Sequence, residues 1–246
     1  MRFDGRTVIV TGAGSGIGRA TALIVAQAGG RVVAVDEAKE HLVDLVNEHP
    51  RLQMVPVAAD ITEATDVEAI VEAAEGRVDG LANIATVLDS FQPAHEVDDA
   101  QWERVFAVNV TAPMRLIRAV VPGMLERGHG AIVNATGESG LRGAAGGAAI
   151  TAAKHAIIGL TRSSAVMYAR QGVRVNAVAP GVTTTNIDAE FGSAYGAAVL
   201  GPLMTTTLPH MVTDEQIASV FAWLLSSESA TVNGAVIAAD GGWSAV

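Results

Sequence analysis

Short runs of β-branched and small apolar residues recur along the chain, each followed by a longer stretch whose apolar positions fall three and four apart. The runs are TVIV (7–10), VVAV (32–35), QMVPVA (53–58), GLANIA (80–85), AIVNAT (131–136), VRVNAVA (173–179) and AVIAA (235–239). Runs this short and this continuously apolar suit parallel strands buried on both faces, because a strand with one wet face would alternate. Segments 17–28, 63–75, 100–125, 150–170 and 213–226 have the length and period of the covering helices. The alternation predicts an α/β fold of the Rossmann type. Its doubly wound parallel sheet would have about seven strands, helices on both faces and a ligand crevice at the strands' carboxyl ends. No repeat and no Pro/Gly/Ser-rich linker divides the 246 residues, so a single domain over 1–246 is expected. Residues 181–212 fit neither period and read as a substrate loop or lid.

Composition narrows the function. Half of the residues are apolar and 17% are charged, enough for a sizeable core. A formal net charge of −10 leaves no basic footprint for nucleic acid or an anionic membrane. The absence of cysteine excludes disulfides and thiolate catalysis. His41, His49, His95, His129, His155 and His210 are scattered without metal-ligand spacing, so no metal is expected. The stretch MRFDGRTVIVTGAGSGIG has no signal-peptide layout, and a soluble cytoplasmic protein acting on a small molecule is the expectation.

The first strand runs into VTGAGSGIGRA, which opens the first helix. In a turn of this kind Gly12 allows the sharp reversal, Gly16 lets backbone approach a pyrophosphate, and Gly18 lets helix and strand pack closely. The free N–H groups around Ser15 and Ile17 at the helix start, with the positive dipole end, suit phosphates. Asp36 ends the second strand eighteen residues after Gly18. A carboxylate there accepts ribose hydroxyls and repels a 2′-phosphate, and Glu37 beside it offers no cation. NAD(H) is therefore expected over NADP(H).

These segments, with ADI at 59–61, LANIA at 81–85, VNV at 108–110, KHAIIGLTR at 154–162, GVRVNAVAPG at 172–181 and NGAVIAADGG at 233–242, appear in order along nearly the whole chain. In this the sequence resembles the short-chain dehydrogenase/reductase family. The resemblance implies that Asp60 and Ile61 flank the adenine, that Asn83 lies along the adenosine ribose, and that Val182, Thr183 and Thr185, after Pro180 and Gly181, hold the nicotinamide carboxamide. It also implies a homotetramer or homodimer. The family's catalytic set is Asn, Ser, Tyr and Lys, with Tyr four residues before Lys and Ser thirteen before Tyr. Asn109 and Lys154 match. The Tyr position is Ile150 and the Ser position is Gly137. Lys154 by that pattern also binds the nicotinamide ribose. Two smaller departures are Ala152, often Ser in the family, and Ile84-Ala85-Thr86, usually Asn-Ala-Gly, which bears on packing and adenosine contact and reads as tolerable.

Neither Ile150 nor Gly137 can move a proton, so ordinary ketone reduction should be largely lost. Positioned acid/base groups contribute about 10²–10⁴ in rate. Thr136, Ser139 and Thr151 are nearby hydroxyls, but residues adjacent along a strand or helix face elsewhere. Glu138 is a candidate acid, or else a loop residue paired with Arg142. Lys154 is a candidate proton carrier, or else a ribose ligand alone. Three functions follow from this mixture. The first is an NAD(H)-dependent oxidoreductase with atypical chemistry on a small hydrophobic carbonyl or alcohol. The second is a non-redox cyclase, isomerase or lyase on the same scaffold, and the third a non-catalytic NAD-binding partner subunit.

Overall fold

The computed structural model describes residues 1–183, 191–208 and 211–245. Seven strands form one parallel sheet: β1 (Thr7–Thr11), β2 (Arg31–Asp36), β3 (Met54–Ala58), β4 (Gly80–Asn83), β5 (Gly130–Ala135), β6 (Val173–Pro180) and β7 (Val236–Ala239). Their order is β3-β2-β1-β4-β5-β6-β7, so the winding reverses between β1 and β4. That reversal opens a crevice at the carboxyl ends, the place where open α/β sheets take ligands.

Helices α1 (Gly16–Gln27), α2 (Lys39–Glu48) and α8 (Asp214–Leu225) cover one face, with Val25, Leu42, Leu45 and Phe221 wholly buried against Val8, Val10 and Val32. Helices α3 (Ala64–Glu72), α5 (Ala112–Arg127) and α6 (Ala148–Tyr168) cover the other, where Ile70, Leu116 and Met124 pack on Ile9, Leu81 and Ile132. Fully burying each such side chain contributes about 1.5–3 kcal/mol, which is why the middles of β1 and β2 are apolar on both sides, while the outer strands β3 and β7 keep partly exposed positions.

Two segments differ from the sequence expectation. Residues 100–125 were expected as one helix. They form α4 (Asp99–Phe106, capped by Asp98 on the Gln101 N–H at 2.7 Å), a π-helical turn over Ala107–Thr111, and then α5. The extra residue of a π turn re-aims a side chain, and here it turns Asn109 inward. The stretch Asp99–Arg127 is apolar and long enough to cross a membrane on length and composition, but half of it is buried within the protein. The second difference is α7 (Ala194–Thr207), a helix inside the expected loop of 181–212. Ser193 caps it through the Gly196 N–H at 2.8 Å. Gly196 is its one buried residue, while Tyr195, Val199 and Leu203 stay exposed. A helix that buries no stripe has no apolar period for sequence reading to detect.

Candidate active site

A cavity of about 530 Å³ lies over the reversal point. One wall is the glycine turn. Gly12 (φ +70°) and Gly16 (φ +51°) take left-handed backbone that side chains disfavour. A Cβ on Gly18 would sit 2.0 Å from the Gly12 carbonyl oxygen, and one on Gly14 2.8 Å from Asp36 Cγ. Only bare backbone fits, and the first-turn N–H groups of α1, which have no intrahelical acceptors, point into the space left. Ser15 is the extended N-cap residue and leaves its side chain off those groups. Asp36 accepts from the Gly14 N–H (2.9 Å) and the Ala38 N–H (3.0 Å), which fixes its carboxylate on the cavity wall.

Of the other nucleotide residues expected from sequence, Ile17, Ile61, Pro180, Gly181, Val182 and Thr183 also wall the cavity. Asp60 and Asn83 do not. The Asp60 carboxylate turns back on Thr62, accepting from its N–H (2.8 Å) and hydroxyl (2.7 Å), while its neighbours Ala59 and Ile61 face the cavity. Asn83 is buried and donates to Asn134 Oδ1 at 2.8 Å. Asn134 donates in turn to the Thr161 hydroxyl at 2.9 Å, so this amide chain ties β4 and β5 to α6. Thr185 lies outside the described residues.

The opposite wall is the end of β5 and the start of α6. Asp89 is buried and sets that helix, accepting from the Gly147 N–H and the Ile150 N–H, both at 3.0 Å. Ile150 (3% exposed) and Gly137 face the cavity without a hydroxyl. Lys154 is buried beside them. Its Nζ donates to Thr86 Oγ1 at 2.9 Å and to the Ala135 carbonyl at 3.2 Å, and burial pulls its pKa down to about 7. The Thr86 hydroxyl donates to Asn109 Oδ1, and Asn109 Nδ2 donates to the Val87 and Val105 carbonyls, both at 2.9 Å. Asn109 therefore sits behind Thr86, and it is Thr86 that meets the cavity. Sequence reading took the Thr86 departure as packing and did not single out Asp89. The signal for Thr86 was a hydroxyl where the family pattern has glycine; Asp89 had none.

The suspected substitutes separate cleanly. Thr136 donates to the Lys154 carbonyl at 2.9 Å, tying β5 to α6. Thr151 lies off the cavity in a shallow groove. Glu138 pairs with Arg142, whose guanidinium lies 5.1 Å from the Trp243 ring centre. Burial holds the Glu138 carboxyl above its usual pKa, with Arg142 pulling down and the nearby Asp240 carboxylate pushing further up. Glu138 borders the cavity, but both of its carboxyl oxygens are buried against the 240–245 side and not presented to it. Ser139 is also on the cavity wall, and its hydroxyl is not among the buried atoms. The short 3₁₀ turn Glu138–Gly140 swings it round, against the expectation that neighbours of position 137 face away.

A family profile for short chain dehydrogenase matches residues 6–196. The chain belongs to the short-chain dehydrogenase family. Among its relatives is the 3beta-hydroxysteroid dehydrogenase 2 of Eggerthella lenta, 37% identical over 98% of this chain and 95% of that one. The levodione reductase of Leifsonia aquatica is 33% identical over 99% and 96%. Among solved structures, a levodione reductase superposes over all of both chains with a TM-score of 0.90 at 33% identity. A 3-ketoacyl-(acyl-carrier-protein) reductase from Brucella melitensis, complexed with NADH, superposes over 98% of this chain and 99% of its own with a TM-score of 0.89 at 28% identity.

Proposed function

We propose that this family member is an NAD(H)-dependent oxidoreductase acting on a small hydrophobic carbonyl or alcohol, with the proton handled by other groups than the family's Ser and Tyr. One observation carries the reading: the glycine cradle, Asp36 and Lys154 line the same cavity as Gly137 and Ile150. What supports a dinucleotide in the cradle is that Gly12 and Gly16 on its wall take left-handed backbone and leave the first turn of α1 open to the cavity. The first turn of α1 would hold the pyrophosphate, Asp36 the adenosine ribose, and Lys154 the nicotinamide ribose. Bound there, a nicotinamide supplies or accepts the hydride. Beyond it the walls are Leu88, Phe91, Ile150, Phe191, Met204 and Trp243, a surface suited to an apolar body. Phe91 and Phe191 stack at 4.4 Å between ring centres, so residue 191 and α7 border the substrate space as a lid would. The homodimer or homotetramer expected from the family has apolar surface to use in Val166 and Met167 of α6, 78% and 69% exposed.

The test is a fluorescence titration with NADH and NADPH. Micromolar-scale NADH binding with weaker NADPH binding is expected; no binding at millimolar cofactor, or tighter NADPH, would sink the assignment.

A further inference from the structure

Two hydroxyls stand on the cavity wall where the pair at 137 and 150 is missing. Ser139 is 7% exposed, and among the described residues its hydroxyl has no hydrogen-bond partner. Its location follows from the glycines around it. A Cβ added at Gly137 would have Ser139 Oγ as its nearest neighbour, at 3.8 Å. A Cβ at Gly146 would meet Ser139 Cβ at 3.2 Å and Ile150 Cγ2 at 2.5 Å. Ser139 therefore stands between the two vacated positions. With no partner among the described residues and a place on the cavity wall, that hydroxyl can donate to a ligand oxygen.

Thr86 is the second. It is half-buried, walls the cavity, accepts from Lys154 Nζ at 2.9 Å and donates to Asn109. The Asn109 amide nitrogen is held by two backbone carbonyls, which leaves its oxygen to accept from Thr86, so Lys154–Thr86–Asn109 is a continuous line of donors and acceptors with the cavity-facing Thr86 oxygen at its middle.

We propose that Ser139 holds the substrate oxygen and that Thr86, backed by Lys154, exchanges the proton with it. In the reducing direction a bound reduced nicotinamide would supply the hydride to the carbonyl carbon, and the carbonyl oxygen, as its π bond opens, would need a proton. The Thr86 O–H rotates from Asn109 to that oxygen and gives up its proton. Thr86 takes a proton from the Lys154 ammonium as it does so, and Lys154 regains one from solvent. The oxidising direction runs the same transfers in reverse. An amine that titrates near neutrality suits a relay that must both give and take.

The proposal rests on the oxidoreductase reading above, and the measurements separate the two. Ser139→Ala, Thr86→Val and Thr86→Ser are compared with the wild type for NADH binding, for turnover on a panel of linear and cyclic ketones, and for thermal melting. Wild type should reduce at least one ketone, with kcat falling at least about tenfold in Ser139→Ala and Thr86→Val and largely recovering in Thr86→Ser. NADH affinity should stay within about threefold in Ser139→Ala, since that residue faces the substrate. A readout free of cofactor comes from ¹³C-lysine NMR, because the chain has only two lysines, Lys39 and Lys154. Thr86→Val removes an acceptor for the ammonium and should move the Lys154 titration downward. An unchanged kcat in either variant, an unmoved lysine titration, or a wild type that binds NADH yet reduces no ketone would overturn the proposal. A wild type that binds no NADH fails the oxidoreductase reading instead, and the lysine titration then judges the Thr86–Lys154 link alone.

Discussion

The two walls of the cavity are made of the same parts, strand ends meeting helix starts, yet they keep the family pattern to different degrees. On the wall formed by β1, α1 and β2, each glycine is dictated by backbone: Gly12 and Gly16 by left-handed φ, Gly18 by a carbonyl that a Cβ would strike at 2.0 Å. On the wall formed by β5 and α6, nothing in the backbone requires a glycine at 137 or an isoleucine at 150. Gly137 has φ 167°, extended geometry that any residue adopts, and Ile150 sits in regular helix near the start of α6. The difference teaches that the nucleotide wall cannot change without breaking the fold, whereas the ends of catalytic side chains can be exchanged with little disturbance to it. Fold and cofactor cradle are coupled; fold and proton chemistry are not.

The strongest way to break that comparison is to put the side chains back. Gly137→Ser with Ile150→Tyr should raise NADH-dependent ketone reduction by about 10²–10⁴ over the parent. The serine enters open space, with its nearest neighbour 3.8 Å from the new Cβ. The tyrosine replaces a buried isoleucine and risks overpacking of about 1–3 kcal/mol, so a thermal melt accompanies the assay. A folded, NADH-binding double variant with no gain would mean that the catalytic wall has changed in shape as well as in chemistry.

Lys154 sharpens the comparison next, because it is the group on the catalytic wall that the fold pays to keep. Burial lowers its pKa from 10.5 to about 7. Below about pH 7 the lysine is charged in both folded and unfolded chains, and the full burial cost is present. Between about 7 and 10.5 the unfolded chain holds more protons, so stability climbs with pH; above that range the cost is gone. Lys154→Met should therefore stabilise the protein by roughly 2–4 kcal/mol at or below neutral pH, after allowing for the acceptors it leaves unpaired. The gain should shrink toward pH 10.5, and NADH binding should weaken. Denaturant melts at pH 6, 8 and 10 check it; a gap that is flat or widens with pH would contradict a buried neutral amine.

How far the sequence carried follows the same division. The inner strands were legible because burial on both faces leaves uninterrupted apolar runs, as in TVIV and VVAV, and the outer strands β3 and β7, though partly exposed, keep apolar runs of their own. The glycine turn was legible because its geometry admits no alternative. Helix α7 was missed because it buries only Gly196. The π turn at Asn109 was missed because one inserted residue barely alters a helical period. Thr86 and Ser139 were misjudged for a common reason. A hydroxyl's use depends on where a short turn points it, and the Glu138–Gly140 turn and the chain beyond β4 are set by tertiary contacts, not by local pattern.

The smallest expected effect probes the wall that is hardest to change. On the proposed reading Asp36 sits where a 2′-phosphate would come, and its carboxylate also holds the N–H groups of Gly14 and Ala38 at 2.9 and 3.0 Å. Asp36→Ala removes the ribose acceptor, the repulsive charge and both of these bonds. It should narrow the preference for NADH over NADPH by about tenfold, which is about 1.4 kcal/mol, and lower stability by about 1 kcal/mol. Asp36→Asn keeps an oxygen for one of the two N–H groups and removes only the charge, so it should narrow the preference as much while costing less stability. If the asparagine keeps the full preference for NADH and the alanine loses it, hydrogen bonding to the ribose sets the discrimination. If both lose it equally, the charge does. If neither changes the ratio of the two affinities, Asp36 serves the glycine turn alone and the nucleotide choice is made elsewhere on that wall.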